Sequence, residues 1–512
     1  MPSSRIKLNF GLRVDMPIYT KDLPANPTIA ALTFANGEKV DVSKLPDATP
    51  LWSPRLGFNW DVQGDRTLQV RGGIGIFTGK IPFVWLSNQA SNNGILFGST
   101  SLTGNGTTPL RDPATGQNIV FNPNRNTYVP ANPTVPATVL INATAKDFKF
   151  PQVWRNNIAV DTQLPWGLIG TVEGIYSKDL NAVFHRNANF EAAVGNFAGA
   201  DNRPRYAGNN AGVRINDNVT NAIILDNTSE GYQYSLTGEL RKQFQHGSVN
   251  LAYTYSKSRD LTSSISAIAA TSWSGNQILR SPNDPVLASS LNDQRHRIVG
   301  SGSYRLNFLG LAGTAFSAIY VGGPQGNIGG FLNPSFSYTY AGDMNGDLIS
   351  GNDLMYIPRD ASEIVLEPTG TSDTRTPAQI WQQLDAFIAQ DDYLSKHRGE
   401  YAERGGARSP WAHRLDLGIK QEFYLGSGSK RNALEVSFDL VNFLNLINSD
   451  WGVLKTTFTT QPVSFRRYDA TANRPVFSFP LVSGAPLTKT FQSDATNNSR
   501  WQALFGLRYS FN

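Results

Sequence analysis

Asp343, Asn345 and Asp347 occupy alternate positions in the run Asp343-Met344-Asn345-Gly346-Asp347, and Asn352 and Asp353 follow shortly after. Side-chain oxygens at positions 1, 3 and 5 of a loop converge on a hard cation, which is how calcium loops begin. The carbonyl of Ile349 falls at position 7. The run also departs from that pattern. Leu348 stands where glycine is usual, Leu354 where an acid is usual with Asp353 one place early, and no helical pattern flanks the loop. The expectation is that Asp343, Asn345, Asp347 and Asp353 bind calcium and order their loop. An Asx-rich turn, which uses the same side chains to cap backbone N–H groups, is the competing reading.

Other reactive residue types form no constellation. His185, His246, His296, His397 and His413 are scattered without zinc spacing, and His246 reads as a turn residue. Cysteine is absent, so thiolate metal sites and disulfides are excluded. No G-x-S-x-G or H-E-x-x-H occurs, and an enzyme is not expected. Gly72-Gly73-Ile74-Gly75 is followed by no helical pattern, so these read as strand glycines beside a closely passing backbone. Gly426–Arg431 lacks phosphate-loop spacing and reads as a turn. A net charge of +5 over 512 residues gives no reason to expect nucleic acid as a partner. Trp85, Asn88, Asn92, Trp273 and Trp451 have the chemistry to stack on or hydrogen-bond a peptide or glycan. Packing of loop on loop uses the same groups, and none is assigned.

The elements that must position these loops are strands. Apolar and polar residues alternate in Arg5–Met16, Arg55–Val62, Leu68–Ile76, Trp154–Leu164, Tyr232–Arg241, Val249–Tyr255, Ile298–Leu306, Arg414–Phe423, Leu434–Leu440 and Arg500–Asn512, and more weakly in Leu168–Ser177 and Thr314–Val321. Five connections are tight and six are long, and the two kinds alternate strictly along the chain. Mean hydropathy is -0.30, and no apolar run approaches the roughly 18 residues of a membrane helix. Barrels conceal their hydrophobicity by alternation and place short turns and long loops at opposite ends. A soluble propeller or stacked sandwich has no reason to place every long loop at one end. The predicted fold is therefore all-β, an antiparallel transmembrane β-barrel sheet of about twelve strands with short periplasmic turns and long extracellular loops. Its aliphatic and aromatic face meets lipid. Its other face carries Arg71, Arg155, Asp161, Glu239, Arg241, Asp416, Lys420, Glu435 and Asp439 toward a hydrated lumen. Trp60, Trp154, Trp166, Tyr176, Tyr232, Tyr255 and Trp501 lie near strand ends, where an aromatic girdle belongs. Thr376–Lys396 reads as a short helix packed on its own loop.

Several longer stretches carry a resemblance. SPRLGFNWDV, RGGIGIFTGKIPFVWLSNQASNNG, FKFPQVWRNNIAVDTQLPWGLIGTVEGIYSKDLNAV, AYTYSKSRDLTS, RHRIVGSGSYRL, FDLVNFLNLINSDWG and the terminal GLRYSFN are similar to TonB-dependent outer-membrane receptors of the Oar-like type. The resemblance implies a barrel of 22 strands, a plug domain with a TonB box and a signal peptide. It implies location in the cell outer membrane and uptake of a nutrient ligand driven by the TonB complex acting through the plug. An outer-membrane structural or adhesion role is the alternative. Residues 1–512 match the C-terminal portion of such a barrel, about 12 of its 22 strands, and have no counterpart of the plug or signal peptide. A truncated gene product, a partial sequence or a split gene is expected. The implied partners are outer-membrane lipid, the barrel-assembly machinery, TonB through the missing plug, and an extracellular ligand that the sequence does not identify. Tyr509 and Phe511 match the terminal aromatic signal read by the assembly machinery, although Phe511 is penultimate.

Overall fold

A computed structural model describes residues 5–511 apart from 97–108, 113–114, 125, 129–137, 264–265, 329–330 and 426–431. The turn expected at Gly426–Arg431 and the terminal Asn512 lie outside the described residues.

Twelve long strands form one sheet: β1 (Ile6–Asp15), β2 (Leu51–Asp61), β3 (Leu68–Thr78), β4 (Gln152–Leu164), β5 (Leu168–Asp179), β6 (Tyr232–Phe244), β7 (Gly247–Asp260), β8 (His296–Phe308), β9 (Ala312–Pro324), β10 (Trp411–Leu425), β11 (Asn432–Val441) and β12 (Gln502–Ser510). Each pairs antiparallel with its neighbours in the chain, so spatial order follows sequence order. Among the described residues β1 and β12 are the two edges. Every strand expected from alternation is present. The tight turns use left-handed backbone where they reverse direction. Trp166 (φ 63°) and Gly167 (φ 71°) do so after β4, and Leu309 (φ 48°) and Gly310 (φ 75°) after β8.

The register sets the two faces. Phe316, Ile419, Phe438 and Phe505 form one cross-strand row, and all four are exposed apolar residues. Side chains alternate across a strand, so this is the lipid-facing row of a barrel wall. On the other face the charges are cross-linked. Arg71 meets Asp161 at 2.9 Å and Glu173 at 3.5 Å, Lys420 meets Glu435 at 3.6 Å, and Arg305 pairs with Glu422. Gly72 shows why that strand carries glycine, since a Cβ there would sit 2.8 Å from the Asn157 carbonyl and 2.8 Å from the Phe58 ring.

The long connections are more than loops, and alternation gave no sign of this. Nearly all buried apolar side chains lie in them rather than in the strands. The 325–410 connection contains α1 (Pro377–Gln390), opened by a capping box in which Thr376 and Gln379 satisfy each other's backbone N–H. Ile380, Leu384, Phe387 and Ile388 form its buried face. They join a core with Tyr338, Tyr340, Met355, Phe477 and Phe479, which ties 325–410 to 442–501. The helix thus packs on its own loop layer, as its amphipathic spacing implied. A second core joins Ile29, Phe34, Val40 and Val42 to Ile141 and Ile224. It is floored by a small sheet of Val139–Thr144, Val219–Thr228 and Ala182–Asn187. Strand faces in lipid need no protein cover, but apolar loop residues on the water side do, so they fold on one another.

Candidate functional site

The loop from Asp343 to Asp353 belongs to this layer. Asp343 accepts three backbone N–H bonds, from Gly346 (2.9 Å), Asp347 (3.1 Å) and Leu348 (2.9 Å). Asn345 accepts from the Asp347 N–H at 3.0 Å and donates to the Asp347 carboxylate at 3.2 Å. Asp347 accepts from the Ile349 N–H at 2.8 Å. Asp353 turns back into the loop and accepts from the Met344 N–H at 3.4 Å. Three left-handed residues, Gly346 (φ 78°), Leu348 (φ 68°) and Gly351 (φ 80°), make this tight path. The loop docks on its neighbours through Tyr206 N–H to the Asn345 carbonyl (2.7 Å) and Ile278 N–H to the Asn352 carbonyl (2.8 Å).

All four residues expected to bind calcium are therefore brought to one loop, and Asn345, Asp347 and Asp353 are buried. Among the described residues no three carboxylates or imidazoles form a ready-made metal cluster. The donors available are mixed, comprising carboxylates, the Asn345 and Asn352 amides and backbone carbonyls. Burial pushes the Asp347 carboxyl well above the usual carboxylate range, and Asp353 and Asp343 add to the shift. Burial pushes Asp353 up to about 7 against the opposing charge of Arg203.

Arg203 is the buried charged side chain beside this loop that sequence reasoning missed. It is buried, donates to Asp201 at 2.8 Å and to the Leu354 carbonyl at 2.6 Å, and lies 3.6 Å from Asp353. The rings of Tyr340 and Tyr401 stand 5.4 and 5.2 Å from its guanidinium. Nothing in the polar run Asp201-Asn202-Arg203 distinguishes it from a solvated loop.

Asp347 and Ile349 also wall a cavity of about 410 Å³ with Asn187, Phe190, Asn221 and Trp273, so three long connections meet there. Its walls are braced. Asn187 donates to Asn221 at 2.7 Å and accepts from the Ala222 N–H at 2.9 Å, and the Trp273 indole donates to Asn283 at 2.8 Å. Trp85 and Asn88 also brace loops, donating to the Ser266 and Ala267 carbonyls at 2.8 and 2.6 Å. Asn92 donates to the Asn88 carbonyl at 3.0 Å, and Trp451 is exposed.

One histidine contributes an acid-sensitive share to the stability of the layer. His185 is buried edge-on to Trp85, with ring centroids 5.5 Å apart, and its Nε2 has no hydrogen-bond partner. Burial lowers its pKa to about 4 from 6.5. Above pH 6.5 the ring is neutral in both folded and unfolded chains and contributes no pH dependence. As pH falls from 6.5 to about 4 only the unfolded chain takes the proton, so roughly 3 kcal/mol of stability is lost over that window. Asp347 and Asp353, whose carboxyls are raised by burial, act in the opposite sense over the same window. The histidine's share is therefore read as the difference between the wild-type chain and His185→Leu in urea titrations, followed by tryptophan fluorescence, at a series of pH values.

A family model described as an outer membrane beta barrel domain matches residues 2–474. The chain belongs to this outer-membrane β-barrel family. Its twelve-stranded sheet is accordingly a membrane wall, and the protein is located in the outer membrane. No curated protein matches this β-barrel chain. Solved structures similar to it include the outer-membrane transporter YddB from Escherichia coli, with 10% identity, a TM-score of 0.36, and 90% of this chain and 41% of that one covered. A mutant of the ferric enterobactin receptor PfeA from Pseudomonas aeruginosa has 9% identity, a TM-score of 0.34 and coverage of 90% and 40%. The FrpB iron transporter from Neisseria meningitidis has 8% identity, a TM-score of 0.34 and coverage of 86% and 39%. The barrel chain thus spans about two fifths of the length of these transporters.

Proposed function

We propose that this β-barrel chain forms part of the wall and the extracellular loop layer of a TonB-dependent receptor that takes up a nutrient ligand. The observation that carries the reading is the division of the molecule. An apolar face meets lipid and an ion-paired face lines a lumen. Among the described residues the long connections, which follow the same end of the strands, fold into a layer with buried cores and a braced cavity. A layer that only shielded the barrel would need no such cavity. The motif resemblance to Oar-like receptors agrees with this, and energy would come from TonB acting on a plug inside the lumen. Tyr509 and Phe511, both exposed and stacked at 6.3 Å, are assigned to recognition by the barrel-assembly machinery.

Cell fractionation tests the location. The chain is expected in the outer membrane, with the 325–410 connection cleaved by protease added to whole cells. Recovery as a soluble monomer would overturn the barrel reading. Growth on candidate nutrients separates transport from a surface role, since loss of the receptor and loss of TonB should give the same defect. A defect that appears without the receptor but not without TonB would sink the transport reading.

A further inference from the structure

We propose that Asp343, Asn345, Asp347 and Asp353, joined by Asn352, bind one calcium ion that fixes the wall of the neighbouring cavity. An Asx-rich turn explains the bonds made by Asp343 and Asn345, since capping of backbone N–H groups is all that a turn requires. It does not explain Asp353 and Asn352. Asp353 is fully buried and its side chain enters the loop, yet one carboxylate oxygen accepts no hydrogen bond. The nearest cation to that oxygen, on Arg203, is 3.6 Å away, beyond hydrogen-bonding distance. Asn352 is 5% exposed, and neither its amide oxygen nor its nitrogen has a partner. Its backbone carbonyl is already held by Ile278, so the chain buries this side chain without using it. Buried polar atoms in folded proteins are almost always satisfied. Asp353 thus brings a buried oxygen with no hydrogen-bond donor to the loop that carries oxygens at positions 1, 3 and 5, and Asn352 precedes it in the chain.

The chemistry selects the ion. The donors are oxygens of mixed kinds without nitrogen or sulfur, which disfavours zinc. They lie on an irregular loop, and calcium accepts irregular geometry of six to eight oxygens, whereas magnesium demands a near-ideal octahedron. Arg203 already supplies one positive charge to the buried acids, but it is shared with Asp201. Asp347 through Ser350 line the cavity wall, so an ion held by Asp347 would stiffen that wall directly. This assignment does not depend on the transport reading.

The test uses the whole chain folded in detergent micelles and stripped with EDTA. Calorimetric titration with calcium chloride should show one ion per chain, in the micromolar to millimolar range, with little heat from magnesium. Asp347→Asn should weaken binding roughly tenfold or more. Terbium bound in the site should give emission sensitised by Tyr206, whose backbone holds the loop, and calcium should displace it. A folded wild-type chain that takes up no calcium at about 10 mM overturns the proposal, as does wild-type affinity in Asp343→Asn/Asp347→Asn. If the variants fail to fold, the wild-type calorimetry and the terbium displacement decide alone. Absence of displaceable emission then counts against the site.

Discussion

Arg203→Ala is expected to destabilise the loop layer by roughly 3–5 kcal/mol, the range for removing one partner of a buried ion pair. The cost arises less from lost attraction than from what remains. Asp201 and Asp353 stay buried with their compensating cation gone. The pH dependence has a definite sign. Burial already raises the folded pKa of Asp353 from 3.8 to about 7, and loss of Arg203 raises it further. Between about pH 4 and 7 the folded carboxyl is neutral with or without Arg203, so this part of the cost is small and flat. It grows above about pH 7, where the folded wild-type chain ionises and the variant does not. Added calcium should recover part of the loss, because the ion replaces the missing charge. Urea unfolding of the chain in micelles, followed by tryptophan fluorescence at two pH values, measures all three effects. A cost below about 1 kcal/mol at pH 8 would mean that water already screens these acids.

Leu417→Arg is expected to cost roughly 2–4 kcal/mol, the penalty for a charge near mid-bilayer on a barrel's lipid face. Leu417 is central in β10, between Ala318 and Leu440 on the outer face. Asp416 points the other way and accepts from the Asn442 N–H at 2.7 Å and from Arg414 at 2.9 Å. Asp416→Asn keeps an acceptor there and should cost about 1 kcal/mol. Equilibrium refolding into lipid vesicles compares the two, and a reversed order would mean that the faces are wrongly assigned.

The strands were legible because period two survives wherever one face meets lipid and the other water. β5 and β9 were weak for a visible reason. Gly170 and Gly174 take lipid-face positions in β5, Ala318 and Gly322 do so in β9, and Ile319 puts an apolar side chain on the lumen face beside Asp416. The loop layer was mostly illegible. Only α1 announced itself, through its 3.6-residue apolar spacing and the proline, Pro377, near its start. The cores around Tyr340 and Ile141 are assembled from short segments far apart in sequence, held by irregular turns that have no period. For the Asp343–Asp353 loop, alternate oxygens drew attention to the residues, while the burial of Asp353 and the presence of Arg203 came from chain segments that spacing alone cannot connect.

The loop cores have a consequence for how the molecule comes apart. Their stability comes from apolar burial in water, while the strands depend on the bilayer and a continuous hydrogen-bond ladder. These two sources respond to different conditions. Mild urea should open the layer as a separate cooperative unit, and amide hydrogen exchange should then sweep through 325–410 and 442–501 while the ladder from β2 to β11 stays protected.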